Sequence, residues 1–530
     1  MQTVALTGAD LSPEAVAAVA RGGAAVSLPE ETRERLRASR ERVERVVDSE
    51  EAVYGLNTGF GHLVDTRIDR EDIEQLQTNL VRSHSAGMGR ELTAEEVRAM
   101  MVARVNALAK GYSGIRETVV DHLVTMLNEG VHPCVPSRGS LGASGDLAPL
   151  AHMALVLLGE GEATVDGERL DGATALERAG LDPLTLRAKE GLALINGTQL
   201  TVGLAALFVV DAERVLDAAD TAAALTTEVT MSTTANCDPV VQDVRPHPGQ
   251  RATAEHIRRL TAGSSVIESH RNCDRVQDAY SIRCAPQVHG AVRDAVSHLR
   301  EAVEVELNSA TDNPLVFPPG EVDDRASGGD DAAVISAGNF HGEPLALRLD
   351  YAAGALTELA AISERRTDRL VNPELQEDHL EPFLARQSGL HSGYMIAQYT
   401  AAALLNECRS LGRPAIDSTP VSGGQEDHVS MSGQSALHAR RIVENVGTVV
   451  GVELACSTQG AEFLDDHLSL GVGTRAAYET VRAAIPSLDE DRPLRPDLEA
   501  GQRLVLEGEL REIVERALDE ADGVGESGEN

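Results

Sequence analysis

Leu345, Leu349, Ala352, Leu356 and Leu359 recur at 4-3-4-3 spacing, which is the stripe of a helix that packs lengthwise against its neighbours. Comparable stripes run through residues 192–225, 286–307, 391–410 and 434–458. Stripes of this length predict a mainly α fold with a long-helix bundle at its core, and seams long enough to be shared between subunits. Composition agrees: 42% of the 530 residues are hydrophobic, yet only 2% are aromatic and tryptophan is absent. Ala, Val and Leu must then fill the core, which suits closely packed helices.

Charge narrows the partners. There are 84 acidic and 47 basic residues, a formal net charge of -37, and only Lys110 and Lys189 among the basic residues are lysine. Phosphate backbones would be repelled, so nucleic acid is not an expected partner. An acid-rich, lysine-poor surface fits a high-salt cytoplasm, where screening removes most self-repulsion. The six cysteines lie scattered without CxxC or metal-ligand spacing, so free thiols in a reducing cytoplasm and no bound metal are expected. No basic-then-apolar leader opens the sequence, and no apolar run approaches the ~18–20 residues of a membrane span.

Along the chain, a short N-terminal strand and an Arg/Glu-rich helix over Glu30–Val47 precede a Gly/Asn/Thr turn at 54–61, which reads as a mobile lid. A helix over Asp72–Ser83 follows, then helical periodicity over Thr93–Glu129 broken at Gly111–Gly114. Residues 161–167 suggest a hairpin strand, and the last dozen residues a frayed acidic tail. This divides the chain into an N-terminal lobe (1–190) with the lid (54–61) and a Gly/Ser loop (139–149), a central helical bundle (191–460) and a C-terminal helical segment (461–530).

The Gly/Ser loop, Arg138-Gly139-Ser140-Leu141-Gly142-Ala143-Ser144-Gly145-Asp146-Leu147-Ala148-Pro149, carries the chemistry. Its glycines let the backbone fold tightly. Asp146 reads as an N-cap and Pro149 as part of the first turn of an apolar helix that stops at Gly159. Ser144 thus precedes a helix N-terminus, where developing negative charge is favoured. A hydrolase G-x-S-x-G elbow fails on spacing, because Asp146 stands where that motif needs glycine.

This string closely resembles the signature of the histidine/phenylalanine/tyrosine ammonia-lyase family. The resemblance spans roughly residues 10–460 and includes Tyr54 to Gly61, Ser83-His84-Ser85-Ala86-Gly87, Glu190 to Gln199, Val276-Gln277-Asp278-Ala279-Tyr280-Ser281-Ile282-Arg283, Thr311-Asp312-Asn313-Pro314, Gly338-Asn339-Phe340-His341 and Gln425-Glu426-Asp427-His428. Ala279 stands where relatives often have proline, and the region beyond 460 is less recognisable. The resemblance implies an aspartase/fumarase-like helical fold and a homotetramer with sites shared between subunits. It also implies that Ala143-Ser144-Gly145 cyclise into a 4-methylidene-imidazol-5-one (MIO), with no external cofactor. In that chemistry the Gly145 nitrogen attacks the Ala143 carbonyl and Ser144 loses its hydroxyl as water.

By the same resemblance Tyr54 is a base on the lid, and Arg283 clamps the substrate carboxylate. Tyr280, Gln277 and Asn196 form the polar shell of the electrophile, and Phe340 lines the ring pocket. Ser83-His84 and Glu426 resemble the histidine-acting branch: His84 can hydrogen-bond an imidazole, and Glu426 can accept a ring N–H or move a proton. The expectation is a carbon–nitrogen lyase converting L-histidine to trans-urocanate and ammonia, the first step of histidine degradation toward glutamate. Whether Tyr54 or Glu426 takes the β-proton stays open, as does attack by the amine or the ring. The alternatives are a tyrosine or phenylalanine ammonia-lyase, an aminomutase with the same electrophile, or a non-catalytic helical assembly protein. Asn313-Pro314 reads equally well as a structural turn and stands outside the catalytic set.

Overall fold

A computed structural model describes residues 3–48, 53, 55–56, 72–271, 273–322 and 325–527; 60% of the chain is helical and 7% is strand. Contacts group it into two units. The first comprises residues 1–210, 299–350 and 413–437, the second 211–298, 351–412 and 438–530. These units are defined by contacts between distant stretches, whereas the division at 190 and 460 follows composition along the chain. Four long helices, Gln199–Val229, Ala285–Leu307, Glu343–Val371 and Ser432–Ala461, supply four of the five predicted stripes, and the helix Met395–Ser410 supplies the fifth. All five residues of the 345–359 stripe are fully buried.

In the first unit the helices Glu30–Asp48, Ile73–His84, Ala94–Ala109 and Glu117–Asn128 fall where periodicity places them. Thr93 and Glu96 form a reciprocal capping box that starts the third of these, satisfying two otherwise orphaned amides. Short two- and three-stranded sheets fringe this unit. Glu162–Val165 pairs with Glu168–Asp171, as the hairpin signal implied, and also with His132–Pro133.

In the second unit Arg366 and Glu453, both fully buried, form a bidentate ion pair with N–O distances of 2.6 and 2.9 Å. The C-terminal segment ends in a helix from Glu509 to Ser527, seated by the buried Leu510, Val514 and Leu518; residues 528–530 of the expected tail lie outside the described residues. All six cysteines are free thiols. Among the described residues no helix is long and apolar enough to cross a membrane.

Candidate active site

Ser144 sits at a corner that glycine makes feasible. Gly145 has φ +76°, and a Cβ there would lie 2.2 Å from the Gly197 carbonyl oxygen, so no side chain fits. Gly145 and Gly197 form an isolated parallel bridge, and the Asp146 amide donates to Gly197 O at 2.7 Å. The Ser144 carbonyl accepts from Asn196 Nδ2 at 3.0 Å. Asn196 ends the short helix Glu190–Ile195, and its Oδ1 is buried with no hydrogen-bond partner. Among the described residues the Gly145 N–H donates no hydrogen bond.

The helix after the loop begins at Leu147, as expected, but Asp146 does not cap it. Its fully buried carboxylate turns beneath the loop, accepting from Ser140 Oγ at 2.7 Å, from the Thr201 amide at 2.8 Å and from Thr201 Oγ1 at 3.1 Å. Three donors outweigh the one or two amides of a helix end. Burial raises the Asp146 pKa, and these hydrogen bonds oppose the rise. Burial likewise pushes Glu306 up to about 7, opposed by the Thr198 hydroxyl and reinforced by the Asp146 charge; Thr198 Oγ1 donates to it at 2.5 Å.

A second cradle closes on the loop from residues 430–432 and 342. The Met431 amide donates to Leu141 O at 2.8 Å, and Ser430 Oγ and the Gly342 amide reach Gly142 O at 3.1 and 3.3 Å. Gly142 has φ +66°, and a Cβ there would lie 2.2 Å from Ser430 Oγ. This brings the stretches bearing Phe340 and Glu426 beside the Gly/Ser loop. His341 and His428 also stack, with ring centroids 5.8 Å apart. Phe340 and Glu426 are both half-buried, and the Glu426 carboxylate makes no hydrogen bond among the described residues.

His84 is the last residue of the helix Ile73–His84. Its Nδ1 lies 2.8 Å from the Leu80 carbonyl and 3.1 Å from Ser83 Oγ. A carbonyl only accepts, so Nδ1 carries a proton, and in the neutral ring Nε2 is then an acceptor. The turn that follows is tied to the helix behind Ser144, where His152 Nε2 accepts from the Gly87 amide at 3.1 Å.

Gln277, Tyr280 and Arg283 belong to the second unit. Gln277 is exposed and Tyr280 is 71% exposed, while the Arg283 guanidinium lies 4.9 Å over the Tyr280 ring, a cation–π arrangement. The buried Arg283 Nε has no hydrogen-bond partner. Tyr54 lies outside the described residues, as do 57–61 of the lid. The one group of potential metal-ligand atoms among the described residues, Asp217, Asp220 and His256, is occupied by Arg293, at 2.8 and 2.5 Å from the two aspartates.

Residues 11–483 match the model of the aromatic amino acid lyase family. A probable histidine ammonia-lyase of Halobacterium salinarum is 66% identical over 516 residues, covering 97% of this chain and 98% of the relative. The chain belongs to the aromatic amino acid lyase family. Histidine ammonia-lyase from Trypanosoma cruzi superposes with TM-score 0.88 at 40% identity, covering 97% of this chain and 96% of that one. A tyrosine aminomutase from Streptomyces globisporus superposes with TM-score 0.90 at 37% identity, covering 97% and 99%. The architecture is the helical aspartase/fumarase-like fold, as the resemblance implied. Backbone likeness does not separate members of this lyase family by substrate, so side chains must.

Sequence reading missed the residues that hold this candidate site from beneath. Ser430, Thr201 and Ser432, whose Oγ lies 3.0 Å from Thr201 Oγ1, look like ordinary polar residues, and Glu306 like one acid on an amphipathic helix. Lys189 did carry a signal, being one of two lysines among 47 basic residues.

Proposed function

We propose that this chain is a histidine ammonia-lyase, eliminating ammonia from L-histidine to give trans-urocanate, with MIO formed from Ala143-Ser144-Gly145. The observation that carries the reading is the Ser144 corner. There a glycine with an uncommitted N–H follows a carbonyl held by Asn196, and the buried Asn196 Oδ1 lacks a partner. These features suit cyclisation: the Gly145 nitrogen attacks the Ala143 carbonyl carbon, and two waters leave, one from that carbonyl and one from the Ser144 side chain. Once formed, the group supplies an electrophile.

The chain's own residues do the rest. Arg283 binds the substrate carboxylate through charge-assisted hydrogen bonds, with Tyr280 and Gln277 beside it. His84 Nε2 accepts the imidazole N–H, and Phe340 packs against the ring. Tyr54 or Glu426 takes the β-proton; the C–H electron pair becomes the Cα=Cβ bond as the C–N bond breaks and ammonia departs. The exposed Gln277 and Tyr280 support a homotetramer in which neighbouring subunits complete each site. Six free thiols support a cytoplasmic setting.

The test offers L-histidine, L-tyrosine and L-phenylalanine separately, in high salt, and follows each conjugated acid by absorbance. Urocanate should accumulate from histidine alone. Coumarate or cinnamate without urocanate would overturn the substrate assignment.

A further inference from the structure

The Thr311-Asp312-Asn313 stretch stands outside the catalytic set, yet it lies on a buried polar line through the first unit. Lys189, fully buried and at φ +72°, precedes the helix Glu190–Ile195 that ends in Asn196. Its Nζ donates to Asp312 Oδ2 at 2.7 Å. The other Asp312 oxygen accepts from the Asn313 amide at 2.7 Å. Asn313 Oδ1 then accepts from the Ala337 amide at 2.7 Å, and Asn313 Nδ2 donates to Ser336 Oγ at 3.3 Å. From Ala337 the chain runs through Phe340 to Gly342, whose amide reaches Gly142 O. A second line runs alongside: Arg104 Nη1 donates to Gln199 Oε1 at 2.6 Å, and Gln199 Nε2 to Thr311 Oγ1 at 2.7 Å.

Lysine at 189 is informative in a chain that otherwise uses arginine. The other lysine, Lys110, is also an internal clamp, donating to Gly8 O at 3.0 Å and Asn308 O at 2.8 Å. A compact ammonium can serve a closed pocket where a planar guanidinium would not fit. A charge buried this completely requires its partner.

We infer that Lys189 and Asp312 are positioning residues, whose buried ion pair sets the spacing between Asn196 on one side of the electrophile loop and the Phe340 loop on the other. This rests on the lyase reading only where substrate kinetics are concerned.

The test uses the full chain with Asp312→Asn and Asn313→Ala. The second variant keeps the ion pair and removes the Asn313 bonds to the Ala337 amide and to Ser336 Oγ, so it decides whether the strut reaches the Phe340 loop even if the first fails to fold. Both should retain the mass loss of two waters. Hydrogen exchange in 336–342 should accelerate about tenfold or more once the Ala337 amide loses its acceptor. KM for L-histidine should rise roughly tenfold with kcat changed much less, since what is lost is ring binding. In a Phe340→Ala background Asn313→Ala should add little further to KM. Unchanged exchange, or a full KM penalty in that background, would overturn the inference. A native enzyme inert toward L-histidine would sink the lyase reading instead and leave the exchange result to decide the strut.

Discussion

The corner around Ser144 and the segment around Arg283 carry complementary parts of the proposed chemistry and are built in opposite ways. Ala143 and Gly145 are buried, and hydrogen bonds reach their loop from Asn196, Met431, Ser430 and Gly342. Glycine is required there because backbone packs against backbone. The segment 276–283 is open: Val276 is 93% exposed and Tyr280 is 71% exposed. It is held from behind instead, with Arg366 Nη1 donating to Ser281 O at 3.2 Å and Asn236 Nδ2 to Arg283 O at 3.0 Å. A group assembled from the chain's own backbone must be shaped before substrate arrives. A group that grips substrate has to face outward, so only its backbone can be fixed in advance.

That contrast can be broken most sharply at Ser144. Ser144→Ala should reduce turnover to background and abolish the two-water mass loss while leaving far-UV circular dichroism unchanged. Loss of helix in that variant would mean the corner is structural first. Arg283→Met should leave the mass loss intact and lower kcat/KM for L-histidine roughly 100-fold or more, since each charge-assisted hydrogen bond contributes about 1.5–3 kcal/mol. An uncyclised Arg283→Met protein would show that the two regions are not independent. His84→Leu should cost roughly tenfold in kcat/KM for L-histidine, the scale of one neutral hydrogen bond, and shift preference toward apolar rings. Unchanged selectivity would remove His84 from the ring pocket.

The last prediction reads stability, not turnover, and concerns the charges behind the arginine segment. Arg366 Nη1 lies 3.2 Å from His289 Nε2, and His289 Nδ1 lies 2.7 Å from Asp220 Oδ1. Asp220 Oδ2 meets His256 at 3.1 Å. Burial disfavours the His256 charge, but Asp220 and Glu515 outweigh it and bring its pKa up to about 9. A raised folded-state value means that the stabilisation is complete below the ordinary pKa near 6.5. It fades as pH rises and is gone above about 9. The contribution is on the order of 3 kcal/mol. Thermal midpoints measured from pH 6 to 9.5 should therefore decline, and His256→Gln should flatten that decline. An identical slope in the variant would assign the pH dependence elsewhere.

Much of the fold was legible because helix stripes are local: the 345–359 spacing and the periodicity over Thr93–Glu129 need only neighbours a turn or two away. The C-terminal segment was legible as helical on the same ground, with Leu510, Val514 and Leu518 at helical spacing and buried. The signature around Ser144 was legible for a similar reason. The proposed cyclisation joins three consecutive residues, so its requirements are written consecutively.

Asp146 shows the opposite case. Its sequence position is that of a helix cap, and its main chain starts the helix as expected. Its side chain has better partners in Ser140 and Thr201, and Thr201 lies 55 positions away. Lys189 and Asp312 are separated by 123 positions, so a turn motif and a lysine become one strut only when the chain folds. Sequence alone determined which residues the proposed cyclisation would join and where the long helices run, since both depend on adjacent residues. Tertiary structure alone decided which buried charges face one another, because the partner of a desolvated charge is set by packing between stretches far apart in the chain.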